Sequence, residues 1–228
     1  SMREVWIEFF KGLVPPVLLV GSSLGSILAG LATPTEGAAM GAVGAIFLTL
    51  AYRKLTFKVL QDALLKTLEI TTLIMVLVCA SNFFGAVFSR LGTPTMITEY
   101  LMVLDLPPMV LLLMIMALIF LLAWPLEWVP IVLIIIPILM PLVVQILDQL
   151  ELPLLWFAIL VAVNLQTAWL SPPVALSAYF LKGVVPEWDL TDIYKGMMQF
   201  MMIQVVGLAV IIIFPKIVLW FPTYLYGN

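Results

Sequence analysis

Histidine is missing from this chain, and cysteine occurs once, at Cys79. Without histidine there is no imidazole base near neutral pH and no His-containing metal site. A single thiol forms no disulfide within the chain and no c-type haem attachment. Charge is scarce as well. Only 10% of the 228 residues are Asp, Glu, Lys or Arg, where a soluble domain carries about a quarter. The Lys and Arg residues never form a long run and the formal net charge is -3, which excludes a nucleic-acid surface. What fills the chain is apolar: 64% hydrophobic residues and a mean hydropathy of +1.21. A water-soluble fold of this length has no interior large enough for that surface, so the sequence reads as an all-α integral membrane protein. No short apolar core with a small-residue cleavage site follows the charged start Ser1-Met2-Arg3-Glu4, so no signal peptide is expected there.

The few charges divide the chain. Uncharged stretches run over 12–35, 37–52, 70–89, 106–126, 128–147, 152–181 and 196–215. Most match the roughly 20 residues that cross about 30 Å of hydrocarbon. A single membrane domain over 1–228 is expected. Its parts in order are a helical pair (12–52), a surface helix (55–68), a span (70–89), a re-entrant hairpin (106–147), a broken span (152–182), a second surface helix (186–199) and a last span (199–221). That makes about five transmembrane helices plus a hairpin and a discontinuous helix. The hairpin is inferred from its joint, Trp124-Pro125-Leu126-Glu127-Trp128-Val129-Pro130, which is too apolar for a turn in water. The two surface helices are inferred from apolar stripes at helical spacing beside charge. With this topology the positive-inside rule places Arg3, Lys11, Arg53, Lys54, Lys58, Lys66, Lys182 and Lys195 in the cytoplasm and leaves Arg90 and Lys216 outside.

Several motifs bear on function. Thr33-Pro34-Thr35-Glu36 has the spacing of a capping box, with Thr33 at the N-cap and Glu36 three residues on. Glu36 is therefore a structural cap, or a functional carboxylate at membrane depth. Gly21/Gly25 and Gly37/Gly41 are small-residue pairs suited to close helix packing. At the hairpin joint Pro125 and Pro130 stop helices. Glu127 there is either buried and in need of a cation, or at the interface with Trp124 and Trp128 as anchors. Ser171-Pro172-Pro173 breaks the stretch 152–181. The two prolines leave the Ala168 and Trp169 carbonyls without helical donors, a ligand set suited to sodium, while Ser171 can cap the next half-helix. Asn164, Thr167 and Ser171 fall at i, i+3 and i+7 and share a face, with Gln166 nearby and Ser177 beyond. The alternative is a proline kink whose hydroxyls bond back to the helix. Cys79 is expected to be a small buried apolar side chain. Pro137 and Pro141 are expected to be tolerated kinks.

At these residues the chain resembles the C-terminal half of the large membrane subunit of tripartite ATP-independent periplasmic (TRAP) transporters, the DctM-like family. The strings that carry the resemblance are Gly30-Leu31-Ala32-Thr33-Pro34-Thr35-Glu36-Gly37-Ala38-Ala39 and Asn164-Leu165-Gln166-Thr167-Ala168-Trp169-Leu170-Ser171-Pro172-Pro173, with the hairpin 107–147 and the ending Tyr179-Phe180-Leu181-Lys182-Gly183-Val184-Val185-Pro186. The resemblance implies one half of an inverted-repeat ion-transporter-like fold. It also implies a sodium-driven carrier of organic acids in the bacterial inner membrane. Implied partners are a first permease half, a small four-helix membrane subunit and a periplasmic solute-binding protein. Asn164, Thr167, Ser171 and Ser177 would then contact substrate, and Ala168, Trp169, Ser171, Leu126 and Glu127 would hold sodium. Leu126-Glu127 and the bulky Trp169 depart from the family pattern. The competing reading is a half-permease that serves as a structural subunit of a larger respiratory or photosynthetic complex. No cofactor motif and no second carboxylate near Glu127 suggest an enzyme.

Overall fold

Thr33-Pro34-Thr35-Glu36 folds as its spacing requires. Thr33 is the N-cap of helix α2 (Pro34–Ala51). The Glu36 amide donates to Thr33 Oγ1 at 3.4 Å, and the Thr33 amide and hydroxyl both donate to Glu36 Oε2 at 2.8 Å. Glu36 is exposed and engaged with the cap. The structure is a computed structural model, and it describes residues 2–172 and 175–227. Pro173, one of the two prolines expected to break the later helix, lies outside the described residues. The chain divides into two units, Ser1–Thr72 and Leu73–Asn228.

In the first unit, α1 (Met2–Leu28) packs along α2. The glycines of α2 make this approach close. A Cβ added at Gly37 would lie 2.7 Å from the Ile27 side chain and 3.1 Å from Ser23 O, and one at Gly44 would lie 2.7 Å from Leu19. Ser23 Oγ donates to Gly37 O at 2.8 Å across the same seam. Of the two expected small-residue pairs, Gly37/Gly41 lies in the seam, whereas Gly21 and Gly25 face open space in this chain. Gly37→Leu is therefore expected to cost about 1–3 kcal/mol through overpacking, read as a lowered unfolding midpoint in detergent. Gly21→Leu should leave the midpoint unchanged, and equal losses for both would refute the seam.

Helix α3 (Phe57–Arg90) contains the boundary between the units. The expected separation of a surface helix at 55–68 from a span at 70–89 is not present, because the two run as one helix. No Gly or Pro occurs between Phe57 and Phe84 to interrupt it, and the charges between them form a local Lys66–Glu69 ion pair at 2.6 Å that suits a helix at i,i+3. Cys79 on this helix is exposed rather than buried.

The second unit is built on a helical hairpin. Its first limb is α5 (Pro108–Ala123). The second runs from α6 (Trp128–Pro130) through a π-helical turn (Ile131–Ile135) into α7 (Ile136–Leu150). A wide turn lets the ladder pass Pro137, which has no N–H to return, while Pro141 is carried inside α7. Helix α4 (Thr93–Val103) packs on α7. The core forms where both limbs meet α8 (Leu154–Leu165): Leu112, Ile119, Leu142, Ile146, Trp156 and Leu160 are fully buried. The expected break follows. Helix α9 (Thr167–Leu170) ends at Ser171, which is extended (φ -89°, ψ 131°), and α10 (Leu176–Val184) begins after Ala175.

The C-terminal part differs from the expected boundaries. Helix α11 (Leu190–Ile213) starts at the N-cap Asp189 and absorbs both the expected surface helix 186–199 and the start of the last span. The chain then leaves the helix at Phe214 (φ -123°, ψ 72°) and resumes as α12 (Lys216–Tyr226). Pro215 is the cause, since a proline pushes the residue before it out of helical geometry. Among the described residues five helices are long and apolar enough to cross a membrane: Glu4–Leu28, Pro34–Ala51, Phe57–Arg90, Trp128–Leu150 and Leu190–Ile213. Pro108–Ala123 and Leu154–Leu170 are apolar but shorter.

Candidate functional site

The break in the 154–184 region carries the buried polar groups of this unit. Asn164, Thr167 and Ser171 are at most 1% exposed. Their shared face, expected from the i, i+3, i+7 spacing, turns toward the first limb of the hairpin. Asn164 Nδ2 donates to Met116 O in the middle of α5 at 2.8 Å. Thr167 Oγ1 donates back to Asn164 O at 2.7 Å, as the kink reading anticipates for that hydroxyl. Its donor is thus spent locally. Two oxygens are left over: Asn164 Oδ1 and Ser171 Oγ are buried without a hydrogen-bond partner. A buried polar atom in this position is costly unless something completes it.

The backbone at the break contributes further oxygens. Pro172 has no N–H to return to Ala168 O. Among the described residues no turn or loop bond ends on the Ala168 or Trp169 carbonyl, while Ser171 N donates to Thr167 O at 2.9 Å and Ala175 N to Ser171 O at 3.0 Å. Ala175 is at φ 26°, ψ 52°, a region an L-residue rarely adopts. Ala168 is buried.

The opposite side of the broken helix borders a cavity of about 810 Å³. Trp128, Val132, Ile136 and Met140 of the hairpin's second limb form one wall, and Phe157, Val161 and Leu165 form another. Its polar side chains are Gln166, Ser177 and Gln204. Ser177 is therefore separated from Asn164, Thr167 and Ser171: it lines the cavity, as does Trp169, and the other three are sealed on the far face. Gln204 of α11 was not among the expected site residues. Its Nε2 donates to Val163 O at 2.7 Å and to Gln166 Oε1 at 3.2 Å. The signal for it was present, because it is a lone amide within the apolar run 200–215.

The hairpin joint is a turn at Trp124–Glu127, as expected. Leu126 is half-buried and Glu127 is exposed. Within this chain Glu127 is thus not a buried carboxylate. Trp124 is the more informative residue, since its Nε1 is a buried donor with no partner. Among the described residues no group of three His, Cys, Asp or Glu side chains could hold a metal ion. Any ion at the break would be held by neutral oxygens, the usual partners of a hard cation.

The family described as "Tripartite ATP-independent periplasmic transporter, DctM component" matches residues 1–217. Among similar proteins is the sialic acid TRAP transporter large permease protein SiaM of Vibrio cholerae, 28% identical over 223 residues, which cover 96% of this chain and 50% of that protein. Another is the 2,3-diketo-L-gulonate TRAP transporter large permease protein YiaN of Escherichia coli, 27% identical over 96% of this chain and 50% of that protein. The C4-dicarboxylate TRAP transporter large permease protein DctM of Rhodobacter capsulatus is 27% identical over 99% of this chain and 50% of its own length. The chain spans about half the length of these relatives.

Proposed function

We propose a transport role for this chain because it belongs to the DctM-component family of tripartite ATP-independent periplasmic transporters. It is a multi-pass protein of the bacterial inner membrane and corresponds to a C-terminal half of the large permease. On this reading it supplies the second half of the permease of a sodium-coupled carrier for organic acids. The hairpin would be re-entrant and the 154–184 helix discontinuous within the bilayer, an arrangement typical of inverted-repeat carriers. Its partners would be a first permease half, a small four-helix membrane subunit and a periplasmic solute-binding protein.

The observation that carries this reading is the pair of buried, unpartnered oxygens, Asn164 Oδ1 and Ser171 Oγ, beside the interrupted backbone. Acceptors without donors favour a cation, and the Ala168 and Trp169 carbonyls extend the same set. An anion needs donors instead. Among the described buried side chains the donors without a partner are the Ser171 hydroxyl at the break and Trp124 Nε1 at the hairpin joint, so a carboxylate would be held by neutral groups and a half-helix terminus rather than by Lys or Arg. The named substrates of the relatives, sialic acid, 2,3-diketo-L-gulonate and C4-dicarboxylates, support an organic anion as the class.

The test is reconstitution of the full chain with a first permease half, the small subunit and the binding protein in liposomes. Uptake of labelled sialic acid or a C4-dicarboxylate is expected only with an inward sodium gradient, and potassium should not replace it. Uptake indifferent to sodium, or failure of the chain to join those partners, would refute the reading.

A further inference from the structure

We propose that α12 is a membrane-surface anchor, a short helix lying along the lipid headgroup layer at the level where α11 ends. The family match stops at residue 217, so it gives this helix no role, and the proposal stands whether or not the chain transports.

The level of the helix is fixed by a side-chain bond. Trp156 Nε1, in the first turn of α8, donates to Ile211 O, in the last turn of α11, at 3.2 Å. Helix α8 follows Asp148 and Glu151, and α11 is followed by Lys216. Charges on both sides of this bond mark one aqueous boundary. The uncharged part of α11, 196–213, spans about 27 Å, close to the roughly 30 Å of hydrocarbon, so the crossing is nearly complete where α12 begins.

The backbone of α12 suits that depth. It is set off by the break at Phe214–Pro215, and Pro222 within it has no N–H to give the Val218 carbonyl. Water among headgroups completes such a carbonyl.

The faces of α12 complete the argument. Val218 and Leu219 pack on the core and Pro222 is half-buried. Ile217, Phe221 and Leu225, at i, i+4 and i+8, form an exposed apolar stripe. Lys216, Trp220 and Tyr224 form a second exposed stripe at the same spacing, each with an apolar body and a polar tip. Trp220 stacks on Tyr224 with ring centroids 5.8 Å apart and planes 18° from parallel. An apolar stripe beside a row of Lys, Trp and Tyr is the chemistry of a helix at the lipid–water boundary.

The test uses the full chain with Cys79→Ala and one cysteine at a time from 216 to 226, each carrying a nitroxide, in phosphatidylcholine–phosphatidylglycerol nanodiscs. Collision with oxygen and with a water-soluble nickel chelate reports depth. The expected profile oscillates with the helical period about a constant mean, with 217, 221 and 225 deeper than 216, 220 and 224. A depth that changes steadily along 216–226 would make α12 the continuation of a crossing helix. Poor access to both reagents at 220 and 224 would mean that protein covers this face. Either result overturns the proposal.

Discussion

Trp156→Ala is expected to lower the unfolding free energy by about 3 kcal/mol, the lower end of the range for removing a buried aromatic ring. Trp156 is 0% exposed and lies where both hairpin limbs meet α8. The lower end applies because the reference state is lipid. Helix packing in a bilayer gains little from expelling water, so the loss is mainly van der Waals contact around the cavity left behind. The indole also donates to Ile211 O, and Trp156→Phe removes that bond, worth roughly 0.6 kcal/mol on average between membrane helices, together with part of the buried ring, so its loss should exceed that of the bond alone and fall below that of Trp156→Ala. Equilibrium unfolding in mixed micelles measures both. Equal losses for the two variants would mean that the ring retained in Trp156→Phe contributes nothing by packing, which would overturn this account.

Ser171→Ala should separate folding from ion binding. The Ser171 hydroxyl is buried and has no partner. Deleting an unpaired polar group removes a desolvation cost, so stability without sodium should be unchanged or slightly higher. If Ser171 Oγ holds sodium, losing a contact to a charged group costs about 1.5–3 kcal/mol, which is about a 10–100-fold rise in the sodium concentration needed. Sodium binding to the folded state raises the melting midpoint of the parent chain by mass action. That rise should shrink or vanish in the variant. A parent midpoint that ignores sodium, or a variant that keeps the full response, would remove Ser171 from the ion site. Loss of stability in sodium-free buffer would show that its hydroxyl has a structural partner.

The elements that strong local chemistry dictates were legible. Thr33 and Glu36 form their capping box because donor, acceptor and proline sit at the required offsets. The interruption after Leu170 follows from Pro172, which can neither donate nor tolerate a helical predecessor, and Ser171 before it is extended. The joint at 124–127 falls at Pro125 although Trp124 keeps helical angles, and Pro130, expected to stop a helix, instead sits in α6 near the start of the second limb. The misplaced boundaries have a common origin. The apolar stripes beside charge at 55–68 and 186–199 suggest separate surface helices, but Lys66 and Asp192 find partners on their own helices and the backbone runs on. Pro215, counted as part of an apolar run, proved the stronger punctuation. At the site, the period of 3.6 gathered Asn164, Thr167 and Ser171 correctly on one face. It gave no sign that Ser177 would fall on another surface, because the residues between them leave the helix. The unpaired Trp124 Nε1 could not be read at all, since burial of one indole atom depends on the packing of distant segments.

The π-helical turn at Ile131–Ile135 has an effect that reaches beyond the proline it accommodates. Counted back as a regular helix, the buried row Leu147, Val143, Leu139 would continue through Ile135 or Ile136 to Val132. Instead Ile131 is sealed at 0% exposure, while Val132 is 37% exposed and borders the cavity. One surplus residue thus rotates the beginning of the limb by roughly a quarter turn relative to its end. The hollow beside the second limb owes its open side to this phase slip. Excising a single isoleucine from the wide turn would restore a regular ladder and leave Ile131 sealed and Val132 on the hollow, because the deletion removes the surplus residue and keeps the phase of the beginning of the limb.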